Sequence, residues 1–402
     1  MKPNVLQMVG SFHQGGSERQ AVQVTRLLRE SGRYNVHLAC LDAGGPLRAE
    51  AEALGLEIPS FPLTSFYDRN MLVQLHRFAR YLREHRVEVV QTYDFYTNVF
   101  GMTGAALARV PVRIAARRET DGMRTRAQKI VERQAFRLAH VVAVNSDAVG
   151  RELVRDGVAA RKIVTVYNGM DTRRVHPLPG LNREETLASM GLPRDGARRF
   201  VTIVSNMRHP VKDQAMFLRA ARRVRVVVPE AAFVLAGEGE LVESYRSLAS
   251  ELGLDGHVFF TGRCARVAEL LAVSDVCVLS SRGVEGFSNS ITEYMAAARP
   301  VVATDVGGAA EAVADGVTGY VIRPGDEEAL AARVVELLQD RERARAMGER
   351  GLLRVKEKFS CEAQLARVEE LYARLLGATK RTTAQSQTVG AASQSVTHAP
   401  DK

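Results

Sequence analysis

The chain has 402 residues, 46% apolar and 25% charged, which fits two or three globular domains and excludes disordered, collagen-like and disulfide-stapled classes. No run approaches the roughly 18 apolar residues of a membrane-crossing helix, the N-terminus does not read as a signal peptide, and four scattered cysteines (Cys40, Cys264, Cys277, Cys361) suit a reducing cytoplasm. The net charge of +9 sits wholly in residues 1–180, where 26 Lys and Arg face 17 Asp and Glu, while residues 181–402 carry 29 of each.

In chain order, short β-branched runs alternate with amphipathic stretches. Strands are predicted at Val5–Val9, Val36–Leu41, Val87–Gln91, Val112–Ala116, His140–Val144 and Ile163–Val166. A second series follows at Phe200–Val204, Ala232–Ala236, Val258–Phe260, Val276–Leu279, Pro300–Ala303 and Gly319–Ile322. Helices are expected between them, for example over Glu18–Glu30, Met71–His85, Met216–Val227 and Glu328–Gln339. Near-continuous apolar strands separated by helices imply parallel sheets covered on both faces. Two series imply two doubly wound α/β domains, 1–175 and 180–358, divided near Pro177, Pro179 and Gly180. From residue 378 the composition turns to Ala, Ser, Thr and Gln without periodicity, so 378–402 is expected to be a disordered tail.

Ligands of open parallel sheets bind beyond the carboxyl ends of the strands, so functional residues should lie in strand-to-helix loops. The strongest such loop runs from Glu285 through Gly286, Phe287, Ser288, Asn289 and Ser290 to Glu293. A straight helix would separate the two carboxylates by about 12 Å. A loop followed by a first helical turn can fold both onto one ligand, with the intervening amides offering an anion site. Ser290 and Glu293 also fit a plain capping box. Arg208 and Lys212, after another strand, can clamp a diphosphate or be two exposed surface bases. Gly15 and Gly16 permit a close backbone approach or simply a tight turn into a helix. Between Arg109 and Arg137, nine basic residues face three acidic ones, suiting an anionic surface or an arginine-rich solvated face.

In this order the motifs resemble the retaining nucleotide-sugar glycosyltransferases of family 4, over residues 1 to about 377. The resemblance rests on Gly15-Gly16-Ser17-Glu18, Asn168-Gly169-Met170-Asp171, Ser205 to Lys212, Gly237 and Gly239, Gly262-Arg263, the Glu285 to Glu293 segment and Asp305 to Gly308. It implies a GT-B fold whose last helix returns to the N-terminal domain (360–377 completing 1–175), with the donor held by domain 180–358. It implies that Glu293 binds the ribose, Glu285 lies beside the transferred sugar, Gly286 to Ser290 hold sugar and phosphate, and Arg263 lies against the base. Arg208 and Lys212 would neutralise the diphosphate, and the chain contains no Asp-x-Asp pair for a metal. Neither a metal nor a cofactor is expected.

One departure stands out. Where many members carry a histidine after a middle N-domain strand, this chain reads Arg117-Arg118-Glu119-Thr120-Asp121-Gly122. Arg118, Glu119 and His13 are therefore candidates for the acceptor side. The expected activity is transfer of a hexosyl group from a nucleoside-diphosphate sugar, UDP before GDP, to a saccharide or lipid-linked acceptor in polysaccharide, lipopolysaccharide or glycolipid synthesis. The expected place is cytoplasmic, peripheral on the inner face of an anionic membrane. Rival readings are a nucleotide-sugar epimerase on the same fold and a degenerate, non-catalytic assembly factor. A nucleic-acid partner is not expected, since no recognition motif or basic-aromatic platform is present.

Overall fold

A computed structural model describes residues 2–394 except 14, 67, 121–123, 176–179 and 284, with side chains as far as Thr379. The expectations for Asp121, Gly122, Pro177, Pro179 and the last residues of the tail lie outside the described residues. Six parallel strands form each of two sheets. The first holds β1 (Asn4–Val9), β2 (Asn35–Cys40), β3 (Val89–Thr92), β4 (Val112–Arg117), β5 (Val141–Val144) and β6 (Ile163–Thr165) in the order β2-β1-β3-β4-β5-β6. The second holds β7 (Arg199–Val204), β8 (Ala231–Ala236), β9 (Val258–Gly262), β10 (Val276–Leu279), β11 (Val301–Thr304) and β12 (Gly319–Ile322) in the order β12-β11-β10-β7-β8-β9.

The apolar runs explain the architecture. β3, β5, β8, β10 and β11 are buried at every position, as strands covered by helices on both faces must be. Helices Gln214–Val227 and Glu327–Gln339 put Phe217, Val224, Leu330 and Leu337 against Phe233 and Leu235 of the second sheet. Over the first sheet Phe61, Phe78 and Phe100, from a loop and two helices, cluster with ring centroids 5.1–6.1 Å apart. Truncating a fully buried ring such as Phe78 or Phe233 to Ala would cost about 3–5 kcal/mol.

Strand order reverses between β1 and β3 in the first sheet, and between β7 and β10 in the second. At such switch points adjacent loops diverge and leave a crevice. The loops after β1, β7 and β10 carry the glycine, basic and Glu285 to Glu293 motifs.

The chain crosses between domains twice, and the crossings run side by side: Met170 pairs with Ser360, and its amide donates to the Phe359 carbonyl at 2.6 Å. Gly169 is held between them by glutamines. Gln20 and Gln23 donate to its carbonyl at 3.1 and 2.8 Å, and Gln364 donates to Gln20 at 2.8 Å. The last helix, Cys361–Gln394, then packs on the N-terminal domain. Its Tyr372 accepts from Gln7 (2.9 Å) and donates to Gln91 (2.7 Å), closing a buried ring with Tyr93. This helix is described as far as Gln394. Among the described residues no helix is long and apolar enough to cross a membrane.

Candidate functional site

The loops at the two switch points enclose a cleft between the domains. Its larger part, about 760 Å³, is lined by His13, Gly15, Gly16, Glu18 and Arg19 from the first domain and by Arg208, Lys212, Arg263, Ser290 and Glu293 from the second. A smaller part, about 300 Å³, is lined by Gly16, Arg118, Glu119, Asn145, Asn168, Lys212 and the backbone from Glu285 to Ser290. Gly16, Lys212, Asn289 and Ser290 line both, so one continuous trough runs past all the motif residues.

Glu293 lies in the first turns of the helix Asn289–Ala296. The capping box open to Ser290 and Glu293 does not form: Ser290 instead donates to the Val204 carbonyl at 3.0 Å, and the N-cap residue Ser288 makes no side-chain cap. Glu293 is thereby left to the cleft and the helix's first amides to an anion. Burial raises the Glu293 pKa above its ordinary value of 4.5, opposed by the charges of Arg19 and Arg174. Arg19 is a cleft cation that the motifs did not single out.

Lys212 ends the turn Pro210–Lys212, and Asp213 follows in the left-handed region at φ 45°, a strained conformation for a residue with a Cβ. Asp213 is fixed there by accepting from the Met216 amide (3.1 Å) and from Arg282 (2.8 Å). This aims the Lys212 ammonium at Glu285, with which it forms an ion pair; Ser281 donates to the same carboxylate at 2.8 Å. Arg208 stands more openly, 3.6 Å from Glu238.

The 285–290 loop contributes mainly backbone. Phe287 turns its ring into a buried cluster with Tyr167 and Phe359, at centroid distances of 5.3 and 5.0 Å. Its carbonyl accepts from Asn168 at 3.3 Å. Gly286 is required sterically, because a Cβ there would overlap the Arg118 carbonyl of the other domain.

Arg118 follows β4, in the stretch where the sequence lacks a histidine, and lines the smaller cavity. Its guanidinium lies 5.8 Å from the Tyr93 ring centre and donates to Asn168 at 2.5 Å, and Asn168 in turn donates to Asn289 at 2.8 Å. Burial lowers its pKa. Glu119 accepts from Arg124 at 2.6 Å. His13 is exposed at the mouth. Asn168, which the sequence marks only as part of the domain-junction motif, joins Arg118 to the 285–290 loop, and Asn145, which donates to the Arg118 carbonyl at 2.9 Å, carries no spacing signal.

The basic stretch from Arg109 to Arg137 is not one surface patch. Arg117 is 2% exposed and bonded to Glu132 at 2.8 Å, with Glu152 at 3.6 Å. Arg124, 6% exposed, reaches Glu119 and Glu132. These cations neutralise a carboxylate whose burial would otherwise oppose ionisation. Arg109 remains exposed, as do Arg126, Arg133 and Arg137 on the helix that carries the exposed Ile130.

Residues 14–174 match the model of Glycosyltransferase Family 4, and residues 198–340 that of Glycosyl transferases group 1. Over 234 residues the chain is 32% identical to N-acetyl-alpha-D-glucosaminyl L-malate synthase of Bacillus anthracis, covering 58% of each protein. Over 212 residues it is 36% identical to GDP-mannose-dependent alpha-(1-6)-phosphatidylinositol monomannoside mannosyltransferase of Mycolicibacterium smegmatis, covering 50% of this chain and 54% of that one. The chain thus spans little more than half the length of these curated relatives. In fold it is similar to Anabaena HepE in complex with UDP, with a TM-score of 0.82, 20% identity, and 93% of this chain and 100% of that one covered.

Proposed function

The chain belongs to the family 4, group 1 glycosyltransferases and has their GT-B fold, and from that premise we propose that it moves a hexosyl group from a nucleoside-diphosphate sugar to an acceptor hydroxyl with retention of configuration. The carrying observation is the cleft itself. A half-buried carboxylate (Glu293), two cations of one loop (Arg208, Lys212) and an uncapped helix N-terminus at Ser288 lie along one trough of about 760 and 300 Å³.

In this reading Glu293 accepts hydrogen bonds from the ribose, and Arg263 lies against the base. Arg208, Lys212 and the amides near Asn289 hold the diphosphate, stabilising it more as the bond to the sugar breaks. The sugar lies in the smaller cavity between Arg118, Glu119 and the Gly286–Ser290 backbone, beside Glu285. The bond from the anomeric carbon to the diphosphate breaks, the bond to the acceptor oxygen forms on the same face, and the acceptor proton passes to the departing diphosphate oxygen. The donor base is proposed as uracil, with guanine second: the similar HepE fold was obtained with UDP, and the mycobacterial relative is named for GDP-mannose.

Calorimetric titration with UDP, GDP and ADP in EDTA tests this, using wild type and Glu293→Ala. Tight binding of one nucleotide, lost in the variant, is expected. No binding by any of the three would overturn the reading.

The acceptor is proposed to be a saccharide or lipid-linked saccharide at an anionic membrane surface. The exposed Arg126, Arg133 and Arg137 support this, as does the relative named for a phosphatidylinositol mannoside. Flotation with anionic liposomes should capture the protein at low salt and release it at high salt. Failure to float at low salt would remove the membrane from the reading.

A further inference from the structure

Away from the donor motifs, one carboxylate joins the two domains. Glu311 lies in the short helix Ala309–Ala312 of the second domain, just beyond the Gly307-Gly308 turn. Its Oε2 accepts from the Asp147 amide and its Oε1 from the Ala148 amide, both at 2.8 Å. These amides open the nine-residue helix Asp147–Arg155 of the first domain, where intrahelical partners are lacking and the dipole favours an anion. Burial raises the pKa of the Tyr167 hydroxyl, in the segment entering the domain crossing, and the nearby Glu311 charge raises it further. Two amide donors of one domain therefore converge on one carboxylate of the other.

The contact leads directly to the smaller cavity. The Gly308 amide donates to the Gly286 carbonyl at 2.6 Å. A Cβ on Gly308 would lie 2.8 Å from the Ser146 Cβ, and one on Gly286 would overlap the Arg118 carbonyl. Where Glu311 pins the seam, the sugar-facing loop is thus pressed onto Arg118 and Asn145. The seam also leaves the Asn145 Oδ1 buried without a partner, a cost that opening would relieve and that the charge-assisted bonds to Glu311 offset.

We propose that Glu311 is a positioning residue for glycosyl transfer: its carboxylate latches the second domain onto the helix Asp147–Arg155 and so sets the distance between the Gly286–Ser290 backbone and Arg118. It touches neither donor nor acceptor. The proposal rests on the transfer reading above, but the latch itself is measurable without it. Domain separation must break both bonds together.

The test uses the full chain with Glu311→Ala and Glu311→Gln. Hydrogen exchange at the Asp147 and Ala148 amides should accelerate about tenfold or more in Glu311→Ala, less in Glu311→Gln, which keeps one acceptor oxygen. With UDP-glucose, kcat should fall about tenfold while KM moves less than about threefold, with partial rescue in Glu311→Gln. In scattering, UDP should contract the wild type and contract Glu311→Ala less. Unchanged exchange, or an equal loss of UDP affinity and kcat, would overturn the proposal. If wild type binds no nucleotide and turns over no UDP-glucose, the transfer reading fails, and the exchange measurement still decides the latch.

Discussion

The Lys212 ammonium and the Glu285 carboxylate form an ion pair across the crevice between the β7 and β10 loops, at the point where the strand order of the second sheet reverses. A diphosphate bound there competes with Glu285 for the same cation. Glu285 therefore holds Lys212 in the cleft, and under the proposed function the pair is released as the donor binds. Lys212→Ala should cut turnover about 100-fold with a smaller loss of UDP affinity, because the cation is worth most when leaving-group charge is developed. Equal effects on both, read by calorimetry and steady-state kinetics, would remove that role.

Glu293 yields a paired prediction. Its carboxyl pKa is raised, so the charged form is penalised in the folded protein. The penalty is full above the folded pKa and absent below the ordinary carboxyl range. Glu293→Gln should therefore raise the Tm of the protein alone by about 2 °C at pH 7–8, and the gain should vanish under acid. The same variant should weaken nucleotide binding about tenfold or more, since the amide loses the charged acceptor. In wild type, affinity should decline on acidification as Glu293 takes up its proton, at a higher pH than for an exposed glutamate; the variant should lack that step.

Gly286→Ala probes the domain seam. The added methyl would collide with the Arg118 carbonyl only when the domains are together. Turnover should fall by about 100-fold or more while Tm shifts by no more than about 2 °C. A large Tm loss would instead assign Gly286 to the stability of its own domain.

Arg117→Ala should destabilise the first domain by about 3 kcal/mol, because Glu132 would be left buried with only Arg124 nearby. Thermal unfolding reads this directly. Charge reversal at the exposed Arg126 and Arg133 should leave Tm within about 1 °C while abolishing low-salt liposome capture.

Among the described residues no group of three or more His, Cys, Asp or Glu side chains is arranged to hold a metal ion. With Arg208 and Lys212 beside the proposed diphosphate site, turnover in EDTA should match turnover in magnesium. A rise of more than about threefold on adding magnesium would show that the two cations do not suffice.

What the sequence discloses follows from the range of each interaction. The strands are legible because each is a compact β-branched run buried on both faces, so Val276–Leu279 stands out without tertiary information. The site loops are legible because they follow strands and combine glycine with charge. The Arg109–Arg137 stretch misleads for the converse reason: composition registers Arg117 and Arg124 as surface charge, whereas Glu132 and Glu152 draw them inward through tertiary contact. The Asp147 and Ala148 amides that meet Glu311 lie more than 160 positions from it in the chain and have no local signature. The same holds for Asn168, whose links to Arg118 and Asn289 exist only once both domains are folded.

The buried ring of Gln7, Gln91, Tyr93 and Tyr372 fixes an order of assembly on the ribosome. The first sheet is synthesised first, yet the helix that supplies Tyr372 and covers β4 leaves the exit tunnel only after the second domain has been made. Until then Gln7 and Gln91 have Tyr93 but lack Tyr372, and the part of the sheet under the last helix stays open to water or to a chaperone. The domain translated first is thus the one completed last, and a nascent chain arrested before residue 361 should present a finished second sheet beside an unfinished first one.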